Sequence, residues 1–427
     1  MIDLTSIIKE TFKTLIAAAK DRRQRKIDDA KHKENLKQAK RSTNLQKRHL
    51  KTTQKSNQNK KYTERKNRFS QEVANLNQNN HNIKLSSIRS LAALADEWSA
   101  DKDATSLDIQ THVQQIIDAL CDYIRSTFNL LNNFNELQLD TAPSSYKGNF
   151  QNDKTLFTQE QEARRTIFEE IGKRISQNPY NKLADGPWSN YKFNFSGSHI
   201  FYKMNNLSLK EMNLDDLNFY GDIDFSGTSF FGYFNSSGII EHHINFSGAH
   251  FHDTASFTGS HFKNGSVFSG AKFYISAYFD DTHFYENNNF KDLKLEKDSI
   301  ASFKNAWFDQ KAKFERAQLI GLKVDFSGAI FNMGADFMNA NDTAKLIFKD
   351  SLFNGKLTQF FVEDKIAYTH LLVNSFQTVH SSITMGFTPD SGTVWPNNAL
   401  PVGSRWFNPK SWDNSEGVFH DVSKPAE

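Results

Sequence analysis

The residues in this chain best suited to chemistry are histidines. His250, His261 and His283 each stand immediately before a phenylalanine, and His261 and His283 are 22 residues apart. Imidazoles brought to one outward face can hold a divalent metal or respond to pH. Two of them without a fixed third ligand make an incomplete set, so His261 and His283 are weak metal candidates. His242, His243 and His252 lie nearby in sequence and extend the candidate group. Histidines on a β surface are expected to pair with neighbours or face solvent, and no cofactor is expected. Carboxylate pairs at Asp215 and Asp216, Asp222 and Asp224, and Asp280 and Asp281 invite acid–base work or calcium. Their setting among turn residues points instead to solvated corners. Cys121 is the only cysteine, which rules out an intrachain disulfide and a cysteine-built zinc or iron–sulfur centre within one chain. It sits beside Leu120 and Ile124 and is expected to be a buried small hydrophobe. Walker loops, dinucleotide fingerprints, zinc-protease helices and nucleophile elbows are absent, so a non-enzymatic protein is expected.

Charge is the second chemical resource, and it is unevenly spread. Residues 20–68 carry 19 Lys and Arg against 5 Asp and Glu, a net of +14, whereas the whole chain is only +3. The candidate polyanion-binding residues are Arg22, Arg23, Arg25, Lys26, Lys40, Arg41, Lys47, Arg48, Lys60, Lys61, Arg65, Lys66 and Arg68. They suit phosphates of nucleic acid or an anionic membrane surface. Aromatic residues for base stacking are scarce there, so any nucleic-acid contact should be backbone-directed and salt-sensitive.

The elements that must position these groups read clearly. Leu4, Ile8, Phe12, Leu15, Ile16 and Ala19 fall at helical spacing and form an amphipathic stripe. That stripe suits a partner helix or self-association, with a membrane interface as the alternative. Residues 20–68 contain no proline or glycine and either continue the helix, as a rod of roughly 70 Å, or are partly disordered. Residues 1–69 form this front segment. Three further helices are predicted in residues 70–180, packing as a small bundle. Leu85, Ile88, Leu91, Leu94 and Trp98 line the first; Val113, Ile116, Ile117, Leu120, Ile124 and Phe128 the second; Ala163, Ile167, Ile171 and Ile175 the third. "DTAPSSYKGNFQND" reads as a loop between the last two.

Residues 191–386 repeat. Phe246, Phe257, Phe268, Phe279 and Phe290 stand 11 apart, and Phe251, Phe262, Phe273 and Phe284 form a second series interleaved with them. Small residues such as Ala249, Ala255, Ser260, Ala271 and Ala277 precede the aromatics by two. So short a period excludes helix pairs and propeller blades. It fits a solenoid whose four faces of five, six, five and six residues close a coil of 22, with Phe246, Phe268 and Phe290 stacked along one inner edge. Roughly eight or nine coils are expected at the strand spacing of about 4.8 Å. Residues 387–427 lack the repeat, and Trp395, Trp406 and Trp412 are candidates for an end plug or a binding face.

"FSGAHFHDTASFTGSHF" and "FSGAIFNMGADF" resemble the pentapeptide-repeat family in its phenylalanine-rich form. That resemblance implies a right-handed quadrilateral β-helix. "KYTERKNRF", "SIRSLAALADEW", "IIDALCDYIR" and "EARRTIFEEI" are similar to phrases that precede the repeats in a group of bacterial, largely actinobacterial, members. Many of these have transmembrane helices at the front, where this chain is read as having the amphipathic Leu4 to Ala19 segment and the basic rod.

The leading expectation is a binding scaffold: a repeat rod presenting faces to a protein partner, with the helical front contacting a polyanion, a membrane surface or another copy. A second is a DNA mimic acting on gyrase or a related topoisomerase, as some family members do. Residues 191–386 weigh against it, since 21 acidic and 17 basic residues are mixed there. A third is a phage-defence or plasmid-associated role. Without a recognisable signal order or a membrane-spanning run, the chain is expected to be cytoplasmic, with a peripheral place at the membrane as the alternative.

Overall fold

The computed structural model describes residues 4–176, 178, 185–337, 340–342, 345–354, 403–420 and 422. The chain divides into two compact units, Met1–Ser70 and Gln71–Glu427. The first is made of one helix, α1 (Leu4–Leu76), whose last turns belong to the second unit. With no helix breaker in it, α1 runs unbroken for 73 residues, about 110 Å at 1.5 Å per residue. Among the described residues no helix is long and apolar enough to cross a membrane.

The second unit opens with α2 (His81–Ser99), α3 (Ser106–Arg125), the single turn α4 (Phe134–Leu137) and α5 (Phe150–Ile175). The predicted stripes face one another: Ile88, Leu91, Ile116, Ile117, Leu120, Ala163, Ile167 and Ile171 are buried. Asn80, Thr105 and Asn149 cap α2, α3 and α5 through side-chain oxygens, and Thr105 forms a capping box with Asp108. Two boundaries differ from the sequence reading. Helix α3 stops at Arg125, and Phe128 lies beyond it in extended backbone, stacked on Phe201 at 5.9 Å. Helix α5 begins at Phe150, inside the stretch read as loop, because Asn149 supplies the cap.

A buried ionic network ties these helices together. Arg164, fully buried on α5, donates to Glu160 at 2.9 Å and to the carbonyls of Ile124, in the last turn of α3, and Ser126, its C-cap. Glu160 also accepts from Tyr123 (2.7 Å) and Lys84 (3.0 Å), so α2, α3 and α5 converge on one carboxylate. Burial opposes its charge, but Arg164 and Lys84 outweigh that and hold it below the usual carboxylate range.

After the helices the chain winds into a four-faced β-solenoid of about seven turns, with every ladder inside it parallel. The first face runs from Ser208–Leu209 to Asn341–Asp342 and the second from Met212–Asn213 to Lys345–Ile347. The third runs from Ile239–Ile240 to Arg405–Phe407 and the fourth from Ile223–Asp224 to Ala335–Asp336. The expected eight or nine coils spanned residues 191–386, of which 355–386 lie outside the described residues. Arg405–Phe407 nevertheless pairs with Leu352–Asn354, so part of the tail continues the stack, with Trp406 opposite Phe353.

Four columns of aromatic or aliphatic side chains fill the interior. One is Phe225, Phe246, Phe268, Phe290, Phe314 and Phe337, with successive ring centroids 5.5, 5.1, 5.2, 4.7 and 4.9 Å apart and near-parallel planes. Phe257, Phe279, Phe303, Phe326 and Phe348 form another, and Phe262, Phe284, Phe308, Phe331 and Phe353 a third. Rings of different columns meet edge to face, as Phe257 and Phe268 do at 5.2 Å. The turns need left-handed backbone, which Gly248, Gly259 and Gly270 supply in early coils and Asp281, Asp292 and Asn305 (each φ 55°) in later ones.

The open first coil is covered by α5. Gln161 donates to the Phe201 carbonyl at 2.6 Å, Arg165 donates to the carbonyls of Lys203 and Asn205, and Phe168 packs on Phe195 at 4.9 Å. The backbones approach closely at Gly172, where a Cβ would lie 3.0 Å from the Ser208 carbonyl oxygen. Phe268 is fully buried between two stacked rings, so Phe268→Ala should cost about 3–5 kcal/mol in denaturant unfolding. A loss below about 1 kcal/mol would mean that the column is not close-packed.

Candidate binding surfaces on the solenoid

Outward positions along a coil repeat every 21 to 24 residues, which places sequence-distant side chains in vertical ladders. On the first face Phe231, His252 and Tyr274 stack at 4.6 and 4.4 Å with nearly parallel rings. His252 is fully buried although it lies outside the coil core, because the rings above and below enclose it. Beside it His250 meets the Tyr274 hydroxyl through Nδ1 at 3.0 Å, and Lys272 lies 4.5 Å from the Tyr274 ring while pairing with Glu296. Burial, then the charges of His252, Lys272 and Lys294, push His250 down to about 4 from its ordinary 6.5, so it is neutral near pH 7.

The third face carries the predicted pair. His261 and His283 are register partners, with ring centroids 6.1 Å apart. One nitrogen of each is engaged elsewhere: His261 Nδ1 lies 3.2 Å from the Tyr285 hydroxyl, and His283 Nε2 lies 2.9 Å from Asp309. His283 stacks on Tyr285 at 3.7 Å and on Trp307 at 5.3 Å, and Lys263 sits 3.5 Å from the Tyr285 ring. Burial, followed by the charge of His283, lowers His261. The arrangement is an aromatic ladder with one histidine–aspartate pair, and no third ligand joins the two histidines among the described residues.

Five of the six paired carboxylates serve corners. Asp215 accepts from the backbone of Ser237 and Gly238, Asp224 from that of Ser226, and Asp280 from that of Lys304. Asp281 accepts from Asn305, and Asp216 from Asn213. His242 and His243 lie in the bend before Ile244–Asn245. Cys121 is 1% exposed, and burial raises its thiol to about 12, as suits a packed hydrophobe rather than a nucleophile. The thirteen basic candidates of residues 22–68 lie on α1, spread over its length.

Sequence reasoning missed Tyr274, Tyr285, Trp307 and Lys272 as ladder members. The signal was present: they stand one residue to either side of a core phenylalanine or leucine slot and recur at the coil period. It also missed Asp413, Glu416 and His420, whose ligand atoms lie within 4.8 Å of one another on an antiparallel hairpin. One Asp413 oxygen accepts from Ser415 and the Glu416 amide, and the other meets His420 at 3.3 Å; these hydrogen bonds hold its carboxyl well below the usual range. The hairpin rests on the third face, where Trp412 packs edge-on against Trp307 at 5.2 Å and Phe419 lies between Trp412 and Phe407. Trp412 thus closes part of the ladder, while Trp395 lies outside the described residues.

Residues 246–293 match the family model described as pentapeptide repeats (9 copies). No curated protein and no solved structure matches the chain.

Because the folded state disfavours the His250 proton, the unfolded chain binds it first. The corresponding stability is complete above about pH 6.5 and is lost as pH falls towards 4. His250→Gln should therefore flatten the fall in melting temperature between these values, as read by circular dichroism; an unchanged slope would show that His250 is not held neutral.

Proposed function

The chain is a pentapeptide-repeat protein with phenylalanine-rich repeats, and we propose that it works as a non-enzymatic binding scaffold whose solenoid faces engage a protein partner. The helical front acts as a tether to a polyanion, a membrane surface or a second copy. The observation that carries this reading is the pair of outward ladders. Tyr274 on the first face, and His283 with Tyr285 on the third, are fixed in register by stacking and hydrogen bonds. A preordered aromatic surface loses little side-chain entropy on association, which favours binding. Solenoids also present broad, regular faces of the kind binding modules use.

The charge pattern favours this reading over DNA mimicry. Acidic side chains on the repeats are interleaved with cations: Arg316 pairs with Asp292 at 2.7 Å, Lys311 with Asp336 at 3.1 Å and Lys323 with Asp325 at 2.9 Å. A rod neutralised in this way offers little of the uniform negative field that would imitate a phosphate backbone.

The test is affinity capture with the full chain and two outward variants, Tyr274→Ala and Tyr285→Ala, each checked for an unchanged β signal. A stoichiometric partner lost by at least one variant is expected. Equal capture by all three, or inhibition of gyrase supercoiling by the purified protein, would contradict the scaffold reading.

A further inference from the structure

The exposed side chains of α1 sort by direction around the helix axis. At about 100° per residue, Phe12, Leu15, Ile16 and Ala19 point within the same arc of about 140° as Lys26, Lys33, Lys37, Arg41, Arg48 and Lys55. Of the nineteen Lys and Arg in residues 20–68, all but Lys20, Arg25, Lys31, Lys60, Lys61 and Arg68 fall in that arc. Glu10, Asp21, Asp28 and Glu64 lie on the opposite side, with Asp29 and Glu34 at the margins. One straight face therefore begins apolar and continues cationic. Phe12, Leu15 and Ile16 are 65%, 66% and 51% exposed, so none of the described residues of the first unit covers them.

The possible occupants place different demands on such a face. A second α1 would set cations against cations, because Ile27, Leu36, Leu45 and Leu50 lie outside the arc and form no seam. Duplex nucleic acid turns its phosphates around its own axis, so a straight stripe of about 50 Å, from residue 22 to residue 55, meets them over only part of its length. Phosphates also offer nothing to Phe12, Leu15 and Ile16. An anionic bilayer is flat and takes both halves, apolar side chains at the acyl boundary and Lys and Arg at the headgroups. Short apolar insertion and a polybasic stretch are each weak anchors, and together they hold.

We propose that α1 lies along an anionic lipid bilayer, with Phe12, Leu15 and Ile16 inserted and the cationic stripe on the headgroups. This rests on the tether reading above and names its surface. The test is co-sedimentation of the full-length protein with phosphatidylcholine vesicles that contain or lack phosphatidylserine. Two triple variants of equal charge change are compared, Lys33→Glu/Lys37→Glu/Arg41→Glu on the stripe and Lys20→Glu/Lys31→Glu/Lys60→Glu off it, with helix content checked by circular dichroism. Binding should require phosphatidylserine, weaken with salt, fall roughly tenfold or more in the stripe variant and change little in the other. Phe12→Ser/Leu15→Ser should remove the binding that survives high salt. Equal loss in both triples, or equal binding to neutral vesicles, would overturn the oriented contact. Salt-sensitive binding to a duplex DNA fragment without vesicle binding would overturn the membrane assignment alone, and binding to neither would remove the tether reading with it.

Discussion

The rise between coils must equal the strand spacing of a parallel ladder, about 4.8 Å, and an aromatic ring stacks on its neighbour at nearly the same distance. Phenylalanine therefore satisfies the ladder and the core with one geometry. Stacked centroids of 4.5 to 5.5 Å along the interior columns are the outcome. The small residue two positions earlier leaves room for the next column, and left-handed corners let the chain turn without lifting out of the ladder. Outward side chains inherit the same spacing, so the surface ladders of histidine, tyrosine and tryptophan are a by-product of the core.

A structure stabilised by neighbour contacts has exposed ends, and this chain treats its two ends differently. At the first coil α5 lies across the opening, anchored by Gln161, Arg165 and Gly172, and is itself locked to α2 and α3 through Arg164 and Glu160. Near the tail, the Trp412 and Phe419 hairpin leans on Trp307 of the third face. Burial of the Glu160 network is bearable because each charge there has an opposite charge and hydrogen bonds.

The period of the repeat was legible because one residue type fills one slot, as at Phe246, Phe268 and Phe290. It blurred where the slots changed hands. In one coil Phe234 occupies the position taken by Ala255 in the next, and Ser236 stands where Phe257 would follow, so the pair of volumes is conserved while the pattern is not. After Phe290 two residues are added between Lys294–Leu295 and Ile300–Ser302, which lifts the coil offset from 22 to 24. The covering role of α5 and the Arg164 network were not legible, since both depend on partners brought together only by the tertiary fold. The histidine pair was placed in register by the repeat, but its engagement with Tyr285 and Asp309 came from the residue after each core phenylalanine, which carries no hydrophobic signal.

The account depends on each ring being supported by the coils directly above and below it. A double-mutant cycle on Phe268 and Phe290, set against one on Phe246 and Phe314, tests this most directly, because the first pair stacks at 5.2 Å and the second is separated by intervening rings. A coupling of about 0.5–1.5 kcal/mol in the first cycle and near zero in the second is expected. Absent coupling in the stacked pair, or equal coupling in both, would contradict it.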